Sequence, residues 1–191
     1  MEKMKRMMTC AALVAIGVYL SLPGMASAKE AQVGVADQIF AMMAAGGGLE
    51  EVQLGKLAAD RAASPEVRQL AQRLAQDHTK ANQELLAIAE KKDIHVPKKL
   101  DDMHKDVVKL FSRLEGASFE REYVRYQVMH HEKDTAAFAL QAKEGQDPEL
   151  KAFAAKQLPI LQGHLQQLRD LAAQRPAAGK PGEAAERRST R

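Results

Sequence analysis

The sequence predicts an all-α protein, a four-helix bundle with an extra short helix in its second connection. Only 4% of the 191 residues are aromatic, and alanine, leucine, glutamine and charged residues dominate, a composition typical of helices rather than sheets. Apolar residues recur at steps of three and four, the spacing of one helix face. Proline or glycine marks the boundaries between these segments, so the helices are distinct.

The N-terminus has the features of an export signal. Basic residues within the first six positions precede an apolar run over residues 10–22, and Ala26-Ser27-Ala28 supplies the small residues that signal peptidase accepts. The run is shorter than the roughly 20 residues of a membrane span. We therefore expect residues 1–28 to be a cleaved signal peptide and the protein to be periplasmic, without stable membrane insertion. An uncleaved anchor is the alternative.

The C-terminus differs in composition from the rest of the chain. Residues 175–191 are rich in proline, glycine and alanine, with five basic and two acidic residues. This composition predicts a disordered basic tail after a bundle domain over residues 29–174. The tail could make weak contact with an anionic surface. The net charge of the whole chain is only +3, which does not favour nucleic-acid binding.

The first two helices each carry one polar residue on an otherwise apolar face. The first is predicted over residues 36–62, and its buried row includes Glu51. Three glycines at 46–48 indicate either close approach of a neighbouring helix or a break. The second helix begins at Ser64-Pro65, with serine as cap and proline in the first turn. Its apolar stripe includes His78.

The next two segments are a short amphipathic helix over about 100–114 and a long helix from the cap Ser118 to about Gly145. On the long helix, either His130 or His131 shares a broad face with three aromatic residues. The short helix is expected to bury four apolar side chains, namely Met103, Val107, Leu110 and Leu114.

The last helix is predicted to open at Asp147-Pro148, with His164 on its stripe and Pro159 producing a kink. Counted from the nearest connection between helices, the polar residue of each long helix lies at a similar height in the bundle. One metal-capable side chain from each helix is therefore expected near mid-bundle: Glu51, His78, His131 and His164.

These four side chains are a plausible ligand set for one transition-metal ion. Imidazole suits zinc, copper, iron or nickel, and a carboxylate offsets the buried charge. His130 remains an alternative to His131. The sequence therefore predicts a bundle that binds a metal ion or a small ligand. The alternative is a non-enzymatic structural or stress-related interaction protein in which the four side chains form a hydrogen-bonded core network that fixes helix register. No glutamate stands three residues before any of these histidines, as a ferritin-type di-iron site requires. No residue is assigned a catalytic role, and whether the protein is an enzyme stays open.

Three motifs resemble an exported bacterial family, domain-of-unknown-function family 4142, often labelled as a predicted outer-membrane protein. They are GGGLEEVQLGKLAADRAASPEVRQLAQRLAQDHTKAN at 46–82, FEREYVRYQVMHHEKD at 119–134, and LKAFAAKQLPILQGHLQQL at 150–168. The resemblance implies a ferritin-like fold with no established activity. Matched residue by residue, it implies Glu51, His78, His131 and His164 as the site and favours His131 over His130.

The expected export signal makes a direct prediction. The secreted protein should begin at Lys29 and be recovered in the soluble periplasmic fraction, because the apolar run is too short to span a bilayer. N-terminal sequencing of the exported form measures this. A chain that retains residues 13–22 and remains in the membrane fraction would show that the run is an anchor.

Overall fold

The structure, a computed structural model, describes residues 33–174, which form five helices and no strand. This confirms the all-α bundle with a short helix in its second connection. The predicted signal peptide and basic tail lie outside the described residues. Within residues 33–174, no helix is long and apolar enough to cross a membrane. The helices are α1 (Val35–Arg61), α2 (Pro65–Lys91), α3 (Asp102–Phe111), α4 (Gly116–Glu144) and α5 (Pro148–Ala173).

The four long helices form two hairpins, α1 against α2 and α4 against α5. At the start of α1, Asp37 accepts a hydrogen bond from Gln141 near the end of α4, at 2.6 Å. Helices α1 and α4 are therefore antiparallel. Lys92, after α2, pairs with Asp147, before α5, at 2.7 Å, so α2 and α5 are also antiparallel. Because α2 and α4 then run parallel, the connection that contains α3 crosses the length of the bundle, as in single-crossover bundles.

The ends of the helices differ in part from the sequence predictions. Asp147 caps α5 by accepting from the amides of residues 149 and 150. Ser64 is the N-cap residue of α2, but its amide and hydroxyl donate to Glu120 instead. Ser118 is not the cap of α4, which begins two residues earlier at Gly116. Helix α5 is one continuous element through Pro159.

Glycines allow α1 and α2 to approach closely. Helix α1 continues through residues 46–48, so the predicted alternative of a break is wrong. A Cβ atom on Gly48 would lie 2.2 Å from the Asn82 side-chain oxygen, and one on Gly55 would lie 2.8 Å from the Ala71 carbonyl oxygen. The lost helix propensity is therefore offset by closer packing of the two helices.

The short helix α3 buries only part of the predicted row, since Val107 and Leu114 are half-buried and pack against the core of the bundle. Met103 and Leu110 are 67% and 59% exposed, so the prediction that they are buried is wrong. Phe111 is buried instead, with its ring 5.2 Å from Tyr126 and 6.3 Å from Phe119 between centroids. The aromatic side chain of Phe111, the last residue of α3, buries a large apolar area against the bundle.

Two apolar clusters fill the ends of the bundle, and a polar layer separates them along each long helix. One cluster is built around Phe40, Leu85, Phe138, Leu150 and Phe153. The other is built around Leu54, Leu74, Phe119, Tyr123 and Leu168. The candidate site residues lie in sequence between the two clusters on all four helices. The buried polar residues of this layer are Glu50, Glu51, His78, Gln127, His131 and His164.

The close contact at Gly55 predicts a stability effect. Gly55→Ala should destabilise the protein by about 1–3 kcal/mol, because the added methyl group meets backbone that cannot move aside freely. Gly163→Ala is the matched control, since that helical glycine has no atom within 4 Å of an added Cβ. It should stabilise by up to about 1 kcal/mol through helix propensity. Urea unfolding measures both, and equal effects would contradict the packing argument.

Candidate metal centre

Three of the predicted site residues meet at the centre of the bundle. His78 on α2, His131 on α4 and His164 on α5 are all buried. Their ring centroids are separated by 5.6 Å (78 to 131), 5.9 Å (78 to 164) and 5.5 Å (131 to 164). One nitrogen from each ring lies within 4.8 Å of the nitrogens of the other two. The triangle therefore presents three ligand atoms to one point.

The outer contacts of two rings fix which nitrogen faces inward. The Nδ1 atom of His131 lies 3.0 Å from the Gln127 carbonyl oxygen, and the Nε2 atom of His164 lies 3.1 Å from Asp77. Each of these nitrogens donates its hydrogen outward, because both partners are acceptors. Three other nitrogens are then left buried, with no hydrogen-bond partner among residues 33–174: Nε2 of His78, Nε2 of His131 and Nδ1 of His164.

The histidines of the triangle are uncharged at neutral pH. Burial, with further repulsion from His131 and His164, lowers the pKa of His78 to about 3. Burial and the nearby His164 lower the pKa of His131 to about 4. The pKa of His164 is also lowered, mainly by burial. Neutral imidazole is the form that binds a metal ion.

The spacing of the three nitrogens fits a metal ion after a small contraction. Nitrogens at about 2.1 Å from a tetrahedral zinc ion are about 3.4 Å apart. The three nitrogens lie within 4.8 Å of one another. Each ring therefore needs to move inward by about an ångström at most to reach the zinc spacing. Rotation about the side-chain bonds supplies such a movement. The donor set of three imidazoles suits zinc, copper, iron or nickel.

Glu51, the fourth predicted residue, does not join the triangle of nitrogens. Its side chain is fully buried, and Oε1 lies 3.1 Å from Nδ1 of His130. The same His130 nitrogen lies 3.3 Å from Asp134. The structure thus separates the two adjacent histidines, with His131 in the triangle and His130 between two carboxylates. Sequence reasoning missed this use of His130, although Asp134 stands one helical turn after it.

Three ionisable residues next to the triangle, Glu51, His130 and Asp134, shift one another's pKa values. Burial alone would lower the pKa of His130, but Asp134 and Glu51 together outweigh it and raise that pKa. Burial raises the pKa of Glu51, and the neighbouring His130 opposes the effect. Burial alone would raise the pKa of Asp134, yet contact with His130 lowers it. A charged His130 and an ionised Asp134 therefore lie beside neutral imidazoles.

Asp77 adjoins His78 in the chain, but its carboxylate contacts the ring of His164 on another helix. A carboxylate on the outer nitrogen of a histidine orients the ring and increases the basicity of the inner nitrogen. Only the packing of α2 against α5 reveals this contact.

These observations define a class, a crossover helical bundle with three inward-facing histidines from three helices. The chain belongs to the family described as Domain of unknown function (DUF4142), whose family model matches residues 22–171. No curated protein matches the chain significantly.

Two solved structures are similar in fold. A DUF305 fragment from Deinococcus radiodurans matches with a TM-score of 0.66 and 15% identity, covering 75% of this chain and 99% of that one. A two-domain protein from Anabaena variabilis, with DJ-1/ThiJ/PfpI-like and ferritin-like domains, matches with a TM-score of 0.57 and 12% identity. The match covers 80% of this chain and 46% of that one. The ferritin-like fold implied by the sequence resemblance is therefore confirmed.

The lowered histidine pKa values predict an acid-sensitive apoprotein. Unfolded histidines take up protons near pH 6.5, whereas folded His78 and His131 do so only near pH 3 and 4. The contribution of these two neutral histidines to the free energy of unfolding is present above pH 6.5 and is lost as the pH falls toward 4. His78→Gln should reduce the slope of unfolding free energy against pH by up to about 1.4 kcal/mol per unit.

Urea unfolding of chelator-treated protein at steps between pH 4 and 6.5 measures this slope. Glu51 contributes with the opposite sign, but it does so in wild type and variant alike. His95→Gln, at an exposed position, is the matched control. Identical slopes for wild type and His78→Gln would contradict the prediction.

Proposed function

We propose that this protein binds one transition-metal ion through His78, His131 and His164. One observation carries the proposal: the three histidines bring one ring nitrogen each within 4.8 Å of the others, and each ring has a buried nitrogen without a hydrogen-bond partner in the described part of the chain. A buried polar atom without a partner costs about 1–3 kcal/mol. A metal ion that accepts all three lone pairs removes this cost at each nitrogen at once.

The alternative, a metal-free hydrogen-bonded network, is less well supported by these contacts. A network among three neutral imidazoles needs an N–H group directed at each inward lone pair. At His131 and His164 the hydrogen instead points outward, toward a carbonyl oxygen and a carboxylate. Both rings are therefore oriented as metal ligands are, with the inner nitrogen free and the outer one held.

Charge balance also favours a cation at this point. Three neutral imidazoles contribute no charge to offset a divalent ion, and a buried ion needs nearby compensation. The carboxylate of Asp77 contacts the ring of His164. The negative charge of Asp134 opposes the lowering of the pKa values of His78 and His131, and the charged His130 beside it acts in the opposite direction. Glu51 has a role in this proposal only through His130, not as a ligand.

We also propose that the metal-binding bundle works outside the cytoplasm. The basic start, short apolar run and Ala-Ser-Ala sequence support export to the periplasm. A mature chain without cysteine fits an oxidising compartment, because histidine ligands are not consumed by disulfide formation.

The proposal predicts metal stoichiometry. Chelator-treated protein without a histidine tag should take up about one Co²⁺ or Zn²⁺ ion per chain, held by three protein ligands. His164→Ala should lose most of the bound metal after gel filtration, because two imidazoles remain. The loaded wild type should also melt at a higher temperature than the apoprotein, since the ion binds only the folded state.

His95→Ala is the matched control, because it removes an exposed histidine far along the chain from the triangle. It should retain the wild-type metal content. Wild-type protein that binds no metal, or equal metal loss in both variants, would overturn the proposal. Stability changes at His78, His131 and His164 that are non-additive, without any metal uptake, would favour the hydrogen-bonded network.

A further inference from the structure

A small cavity adjoins the triangle of histidines on the side of the apolar cluster built around Phe138. All four long helices contribute to its wall, and its lining includes the half-exposed Ile160. The cavity therefore leads from the protein surface toward the candidate metal centre. Its polar lining consists of Asp77, His78, Asn82, Asp134, Gln157 and His164.

The size of the cavity limits what it can hold. Its volume is about 20 Å³, and a cavity needs about 10–15 Å³ to hold one water molecule. A molecule of one or two non-hydrogen atoms fits, whereas a five-membered ring does not.

The lining also limits the chemistry of an occupant. The Nδ2 atom of Asn82 is buried and has no hydrogen-bond acceptor among residues 33–174, so it favours an occupant with an acceptor atom. Gly48 leaves the space that the Asn82 amide occupies, since a Cβ there would overlap it. A small molecule that accepts a hydrogen bond from Asn82 satisfies both conditions.

We propose that the metal ion keeps one coordination position open toward this cavity, where it binds a small hydrogen-bond-accepting molecule of one or two heavy atoms. The inference rests on the proposed metal site. Three protein ligands leave a tetrahedral ion one position short, and such open positions take water or a substrate. Two of the three histidines line the cavity, so an open position on that side of the triangle would face the cavity.

The test uses the full chain loaded with Co²⁺, whose visible absorption reports a change of ligands. Nitric oxide, a neutral diatomic molecule, should change the spectrum in a saturable way under anaerobic conditions. Imidazole should leave the spectrum unchanged, because its ring exceeds the cavity. Cobalt content is measured on the same samples.

Ala81→Leu fills the cavity from α2, where Ala81 is part of the lining. It should weaken nitric oxide binding at least tenfold while cobalt content stays at the wild-type level. Ala155→Leu makes the same change at an exposed position on α5 and should bind as the wild type does. If Ala81→Leu does not fold, the spectral responses of the wild-type protein to nitric oxide and to imidazole still test the size limit of the cavity.

The outcomes separate the two proposals. A chain that takes up no cobalt overturns both the metal site and the open position. A chain that binds cobalt but does not respond to nitric oxide overturns only the open position. A response to imidazole as strong as that to nitric oxide, or an unchanged response in Ala81→Leu, shows that small ligands do not enter through this cavity.

Discussion

The main constraint on this structure is the burial of three neutral imidazoles in the middle of a bundle whose two ends are apolar. Their pKa values are low because burial removes the water that would stabilise a charge. The outer nitrogens of His131 and His164 have partners, and the inner nitrogens do not. The long helices therefore pack around a set of lone pairs that hydrogen bonds within the described residues do not satisfy.

The polar layer contains both close helix packing and buried charged groups. Gly48 and Gly55 bring α1 near α2, and Glu51, which lies between them in the chain, is fully buried. Its charge environment is set by His130 from α4, which also contacts Asp134. A charged group on one side of the polar layer and a neutral triangle on the other coexist because adjacent residues of α4 point in different directions.

Much of the fold could be predicted from the sequence because helical periodicity is a local property. The spacing of apolar residues identified four long helices, and similar heights along the bundle placed His78, His131 and His164 near one level. Rotation of a helix about its own axis depends on its neighbours, and periodicity does not determine it. For that reason the predicted burial of Met103 and Leu110 in α3 is wrong, and the partners of Glu51 and Asp77 are visible only in the packed structure.

The distribution of the triangle between the hairpins has a consequence for folding. The hairpin of α1 and α2 supplies one histidine, and the hairpin of α4 and α5 supplies the other two. Neither hairpin alone can assemble the three-nitrogen set, so an ion that needs all three recognises only chains whose halves have docked. The long crossover imposes a loop-closure cost on that docking. A metal ion bound by all three histidines would offset this cost and slow the separation of the two hairpins.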